Sequence, residues 1–242
     1  MELETKSLLK YLILPLALLT TAVFVANRQV QPDFLMRVHF YDTGGNGVLI
    51  QTYQGRQIVI DGGPTDAILQ KLGHDLPLFK RQIDVLVLTS TKTDHIGGLM
   101  DILKRYQVHM VVLPEMNSDT GLYHDFVHTV DEKHVTKVFA RTGQRIWLDS
   151  ATVLDILSTL DLRLTFGQTH ILFATGGVSK LFEKDIPKYA VIQVGKNTYG
   201  NQLGEILTNL HSTNTQIYRT DQDHDVEFIS NGTSLYKNWF FS

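Results

Sequence analysis

The chain has 242 residues, 43% hydrophobic and 19% charged, a globular profile with room for one large domain or two small ones. A net charge of −3 and a pI near 6.3 weigh against indiscriminate binding to nucleic-acid phosphates, though not against a local basic patch. There is no cysteine, so disulfides and Cys-based zinc sites are excluded, and any metal must use His, Asp, Glu or weaker donors.

The first predicted element is apolar. Leu8 to Ala26 is interrupted only by Lys10 and Pro15. As a helix it would span about 28 Å, close to the hydrocarbon thickness of a bilayer. Lys10 lies near its end and can snorkel, and a proline is tolerated in a membrane helix. Lys6 and Lys10 precede the segment and only Arg28 follows closely, which places the N-terminus in the cytoplasm and the body outside. A cleaved signal peptide is the alternative, although bulky Phe24 and Val25 leave no small-x-small cleavage site. An ordinary buried helix is a third. The expectation is a stub, membrane anchor and linker over residues 1–31 and one folded domain over residues 32–242.

Phe34 to Asp42 reads as a strand. Gly47 to Gly63 reads as a hairpin turning at Gln54-Gly55. Thr65 to Pro77 opens with a capping residue and has apolar spacings of three and four, so it is a helix ending near Gly73. Ile83 to Ser90 is a buried strand, Ile96 to Gln107 a helix, Val108 to Pro114 a strand, Tyr123 to His134 a helix and Thr136 to Ala140 a strand. From Gly143 the pattern shortens. Gln144–Asp149, Ala151–Ser158, Leu162–Gly177 and Tyr189–Gly195 are strand-like, Gln202–Thr213 is helical, and Thr215–Ser230 reads as a closing hairpin turning at Asp221–His224. Strand-rich and helix-strand stretches alternate in two halves. That order predicts an α/β (α+β) domain with two mixed sheets face to face and helices outside, a four-layer αββα arrangement.

Three separated stretches carry a resemblance. "VHFYDTGGNGVLIQTYQGRQIVIDGG" is similar to the opening of metallo-β-lactamase-fold domains in the branch of the DNA-uptake competence protein ComEC: strand, Asp-Val-Gly-Gln-Gly-Asp, hairpin, Ile-Asp-Gly-Gly. "IDVLVLTSTKTDHIGGL" resembles its Leu-Thr-His-x-Asp-x-Asp-His-Ile-Gly-Gly segment. The stretch from Tyr189 to Gly232 resembles its closing part. The match covers roughly residues 36 to 232. The resemblance implies a metal-dependent hydrolase fold in which one or two divalent ions, zinc or manganese, generate hydroxide near neutral pH.

The ligand positions implied by the resemblance are mostly replaced. The first falls on Ser90, a poor ligand unless deprotonated. The second falls on Lys92, whose ammonium has no lone pair and repels a cation. Asp94 and His95 match. The acid of the first loop falls on Gly47, the bridging acid on Gly177, and the late histidine on Asn201. A further His-rich loop is missing. Two ligands rarely hold a catalytic ion. The expectation is therefore a membrane-anchored binding or scaffold module without cofactor, whose partner is a protein of the cell envelope. The rival is a phosphodiesterase-like or nuclease-like hydrolase holding one ion on Asp94 and His95. Net charge does not support a nucleic-acid partner.

Other residues are weighed as follows. Asp94 is expected to cap the helix beginning at Ile96. Asp61 is expected to be a turn residue that accepts hydrogen bonds, with Gly62 and Gly63 permitting tight backbone. Lys92 is expected to fill the former cation space and pair with Asp94 or Asp61. Lys196 and Tyr199 border the cleft in the resemblance. His124 and His128 share a helix face, and Thr220–Asp225 clusters acids, but both are more readily surface and turn features than metal sites.

Overall fold

The computed structural model describes residues 13, 15–21, 34–77, 81–115, 118–158, 161–174, 188–195 and 215–238. The chain divides into two units, Met1–Asp33 and Phe34–Ser242. In the first, the described residues are helical and exposed. Among the described residues no helix is long and apolar enough to cross a membrane, and most of the expected anchor, Leu8–Ala26, lies outside them.

In the second unit the larger sheet has the order β14 (Leu235–Lys237), β13 (Val226–Ser230), β1 (Met36–Phe40), β2 (Gly47–Gln51), β3 (Gln57–Gly62), β4 (Gln82–Val87), β5 (Gln107–Pro114), β6 (Thr136–Ala140). β1 and β2 are antiparallel to their neighbours, while β3 to β6 run parallel. Helices α1 (Ala67–Asp75), α2 (Thr93–Arg105) and α3 (Gly121–Glu132) connect the parallel strands. A second sheet has the antiparallel order β10 (Thr169–Ala174), β9 (Asp161–Phe166), β8 (Thr152–Ile156), β7 (Arg145–Trp147). β11 (Tyr189–Ile192) and β12 (Gln216–Arg219) form a parallel pair.

Strand alternation builds two cores. Met36, Val38 and Phe40 of β1, with Ile58, Ile60 and Phe228, meet Leu154, Leu164 and Phe166 of the second sheet. The opposite faces of the same strands, through Leu49, Val59, Leu86 and Val111, pack on Ile68 and Leu72 of α1, Leu99 and Ile102 of α2 and Phe126 of α3. These side chains are almost wholly buried, and each contributes about 1.5–3 kcal/mol on leaving water. Three layers of the expected four are thus in place. Gln202–Thr213, the expected outer helix of the fourth, lies outside the described residues.

One expected pairing fails. Thr215–Ser230 is not a hairpin: β12 pairs with β11, while β13 crosses to the larger sheet and pairs with β1. Between them is a four-residue helix, α4 (Thr220–Asp223). Its acids have separate partners. Asp221 holds the Arg219 guanidinium, Asp223 accepts from the Arg219 backbone N–H, and Asp225 takes Lys71 Nζ at 2.7 Å. The sheet's last hairpin is instead β13–β14.

Candidate functional site

Because β3 to β6 are parallel, their carboxyl ends share one edge, where open α/β sheets place ligands. Three segments meet there: the loop Tyr41–Asn46 after β1, the turn Asp61–Gly63 ending β3, and Thr89–Lys92 between β4 and α2. Backbone bonds tie them together. Asn46 donates to the Asp94 carbonyl (3.2 Å), Gly63 to Asn46 (2.6 Å) and Gly98 to Gly63 (3.0 Å).

The glycines permit this approach. A Cβ on Gly98 would lie 2.1 Å from the Gly62 carbonyl oxygen, and one on Gly97 would lie 2.2 Å from that of Pro64. Asp61 itself sits at φ 56°, a left-handed conformation that Asp tolerates better than most residues.

A buried hydrogen-bonded node lies at the junction. Asp61 is 0% exposed and His95 3%. The Asp61 carboxylate accepts from Thr89 N–H (2.8 Å), from the Thr89 hydroxyl (2.5 Å) and from His95 Nδ1 (2.8 Å). Asn46 Nδ2 is 3.4 Å from His95 Nδ1 and 3.3 Å from Nε2. Near-equal distances put the amide over the face of the imidazole, since an in-plane approach between the nitrogens would collide with Cε1. His95 Nε2 therefore keeps its in-plane direction, with Asp94 Oδ1 3.9 Å away. Burial alone would lower the His95 pKa. The charge and hydrogen bond of Asp61, with Asp94 adding to them, outweigh it and raise the value, while Lys92 opposes them.

The other anticipated residues are placed differently. α2 begins at Thr93 rather than Ile96, its N-cap is Lys92, and no side chain caps it. Asp94 is in the first turn, partly exposed, where it favours the helix dipole without capping. Lys92 is exposed and forms no ion pair among the described residues. Asp61 is satisfied by Thr89 and His95 instead. The Ser90 hydroxyl accepts from Lys92 N–H in a local turn. At Gly47 a Cβ would press on Thr43 and Ile68 at 3.2–3.3 Å. His124 and His128 do not converge on a metal: His128 lies 3.6 Å from Glu132, and His124 lines a crevice of about 610 Å³ with Tyr123 and Arg141 at the ends of β5 and β6. Gly177, Lys196, Tyr199 and Asn201 lie outside the described residues. Among the described residues no three His, Asp or Glu side chains are grouped to hold an ion.

The chain matches no family model and no curated protein. It is similar to solved structures. Igni18, described as a metallo hydrolase from the archaeon Ignicoccus hospitalis, superposes with a TM-score of 0.53 at 13% identity over 80% of this chain and 98% of its own. The fold is shared with that metallo hydrolase. Zinc-bound PqqB from Methylobacterium extorquens gives 0.45 at 11% identity over 62% of this chain, which spans 56% of PqqB. A motif variant of the metallo-β-lactamase of Cronobacter sakazakii gives 0.41 at 15% identity, covering 73% of this chain and 71% of that one.

In this fold the described donors fit a divalent ion poorly. Ser90 is engaged in its own turn and Lys92 is cationic. Asp94 and His95 Nε2 remain, fewer than the three ligands a catalytic site keeps. Sequence reasoning missed Asn46 and Thr89. Asn46 lies in a glycine-rich loop that signals only a turn, and nothing marks Thr89 apart from its strand.

Proposed function

We propose that this protein is a ComEC-related, metallo-β-lactamase-type domain whose metal centre has given way to a metal-free node of Asp61, Thr89, Asn46 and His95. It acts as a binding or scaffold module, held at a membrane by Leu8–Ala26 with its body outside. The observation that carries this reading is the described donor set: the Ser90 hydroxyl is engaged by Lys92 N–H, Lys92 is a cation with no lone pair, and only Asp94 and His95 Nε2 remain.

One observation favours a hydrolase with a single ion. Metal-ligating histidines commonly donate their other nitrogen to a carboxylate, and His95 Nδ1 faces Asp61 in that way while Nε2 faces Asp94. Zinc and manganese analysis of the full chain, purified in detergent, separates the two readings. Absence of stoichiometric metal and of phosphodiesterase activity supports the binding module. One equivalent of metal that disappears in Asp94→Ala supports the hydrolase and overturns the module.

A further inference from the structure

A second cavity, of about 440 Å³, lies away from the node. It separates β10 from β11. Each of these strands has a hydrogen-bonded neighbour on one side only among the described residues: β9 for the first, β12 for the second. Its walls are Phe40, Ile171, Tyr189, Val191, Phe228 and Leu235. Its polar lining includes His170, Lys188, Thr233 and Ser234.

The position is set by the sheet. β13 is antiparallel to β1, and Ser230 pairs with Met36 at the amino end of β1. Asp61 ends β3, which runs parallel to β1, so Ser230 marks the edge opposite the node. Thr169 is fixed to Ser230 there at 2.6 Å, and Gln168 N–H donates to the Gly232 carbonyl at 2.6 Å. The cavity therefore opens at the far edge and runs inward beneath β13 to Phe40.

Among the described residues its chemistry is one-sided. The ionisable groups lining it are Lys188, His170 and the phenol of Tyr189, with no carboxylate among the described residues. Lys188 forms no ion pair among the described residues and rests over the Tyr189 ring, 4.9 Å from its centroid. Tyr189 and Phe228 are packed at 5.0 Å, giving an aromatic wall. The volume is that of a small-molecule site, where apolar walls supply burial and a few polar groups fix orientation. We infer that this cavity binds a small amphiphilic anion, an aromatic or aliphatic carboxylate or sulfonate. Its apolar body lies between β10 and β11, and its charged head meets Lys188 and the hydroxyls of Thr233 and Ser234. The inference is independent of whether the node ever holds a metal.

The probe is 8-anilinonaphthalene-1-sulfonate, titrated into the full chain and followed by fluorescence and by the melting midpoint. Saturable binding to one site is expected, displaced by decanoate and weakened by salt. Lys188→Gln should weaken it roughly tenfold by removing one charge-assisted contact. Val191→Trp, which fills the cavity, should abolish it. Lys188→Gln changes a rim residue and keeps the test valid if Val191→Trp does not fold. No saturable binding overturns the assignment, as does equal binding by Lys188→Gln. Dodecyltrimethylammonium binding as tightly as the anion would overturn the charge preference on which the inference rests.

Discussion

Asp61→Asn isolates the charge of the buried node. Asn tolerates the left-handed backbone at this position as Asp does, so the substitution alters charge rather than conformation. In the wild type the carboxylate satisfies three donors. In the variant the amide oxygen still accepts from Thr89 N–H. The amide NH2 then requires the Thr89 hydroxyl and a neutral His95 Nδ1 to act as acceptors, which both can do. The network survives without charge. The cost is the difference between charge-assisted and neutral hydrogen bonds, about 1–2 kcal/mol. It applies only where wild-type His95 is protonated. The folded pKa of His95 is raised from its ordinary value, because Asp61 and Asp94 together outweigh burial. The stability from this pair is therefore complete below the unfolded value and is lost as pH rises through the folded value. In Asp61→Asn burial acts with only Asp94 against it, and the His95 pKa falls. Urea unfolding of both proteins at about pH 5.5 and about pH 9 should show the wider gap at the lower pH, by about 1–2 kcal/mol. Other histidines titrate equally in the two proteins and cancel in the difference. An equal gap, or a wider one at high pH, refutes a charged Asp61–His95 pair.

Gly98→Ala should destabilise the domain by about 3 kcal/mol, because its Cβ would lie 2.1 Å from the Gly62 carbonyl, whereas Gly73→Ala in α1 meets nothing within 4 Å and should stabilise by about 0.5–1 kcal/mol. Thermal melts that rank the two alike would contradict the close approach. His39 has the opposite pH sign to His95. Burial pushes its pKa below 6.5 despite Asp75, Glu227 and Gln51, so stability is lost as pH falls from the unfolded value through the folded one, and His39→Gln should flatten that acid limb in urea titrations. Ser90→His combined with Lys92→Asp places four donors on the turn with Asp94 and His95, and should confer zinc binding measurable by calorimetry. A folded double variant with no affinity above wild type would mean that this turn no longer has metal-loop geometry.

The sheet interior was legible because apolar runs such as Val85–Leu88 and Val111–Leu113 are buried on both faces, as parallel strands under helices require. Which sheet a strand joins was not legible. β12 and β13 are both short, and the acid-rich link between them resembles a hairpin turn. Strand alternation is the same whether the next strand pairs beside its predecessor or crosses to another sheet. The capping role assigned to Asp94 misjudged the start of α2, because Thr93 and Asp94 already have helical backbone before the apolar period begins. The pairing of Asp61 with His95 spans 34 residues and depends on the crossover between β3 and β4. No local spacing encodes it. The cluster of His39, Tyr41, Asp75 and Glu227 was invisible for the same reason: α1 brings Asp75 to the Tyr41 hydroxyl at 2.7 Å only once packed.

At the carboxyl edge of β3 and β4, the demands of packing and of metal chemistry fall on different residues. Gly62, Gly97 and Gly98 are fixed by backbone contacts that no side chain can enter. Asp61 and His95 are fixed by burial, since removing Asp61 strips both Thr89 donors and His95 Nδ1 of their carboxylate inside the core, at a cost of about 1–3 kcal/mol or more. Neither set depends on a metal. Ser90 and Lys92 belong to a turn whose own hydrogen bond, Lys92 N–H to the Ser90 hydroxyl, places little demand on the rest of the fold. The motif Asp-His-Ile-Gly-Gly can therefore persist in a domain with or without catalysis, because every residue in it after Asp94 is required by the strand-to-helix junction. The chemistry is reported by the donors that packing leaves free to vary, and of these the described positions hold a hydroxyl and an ammonium.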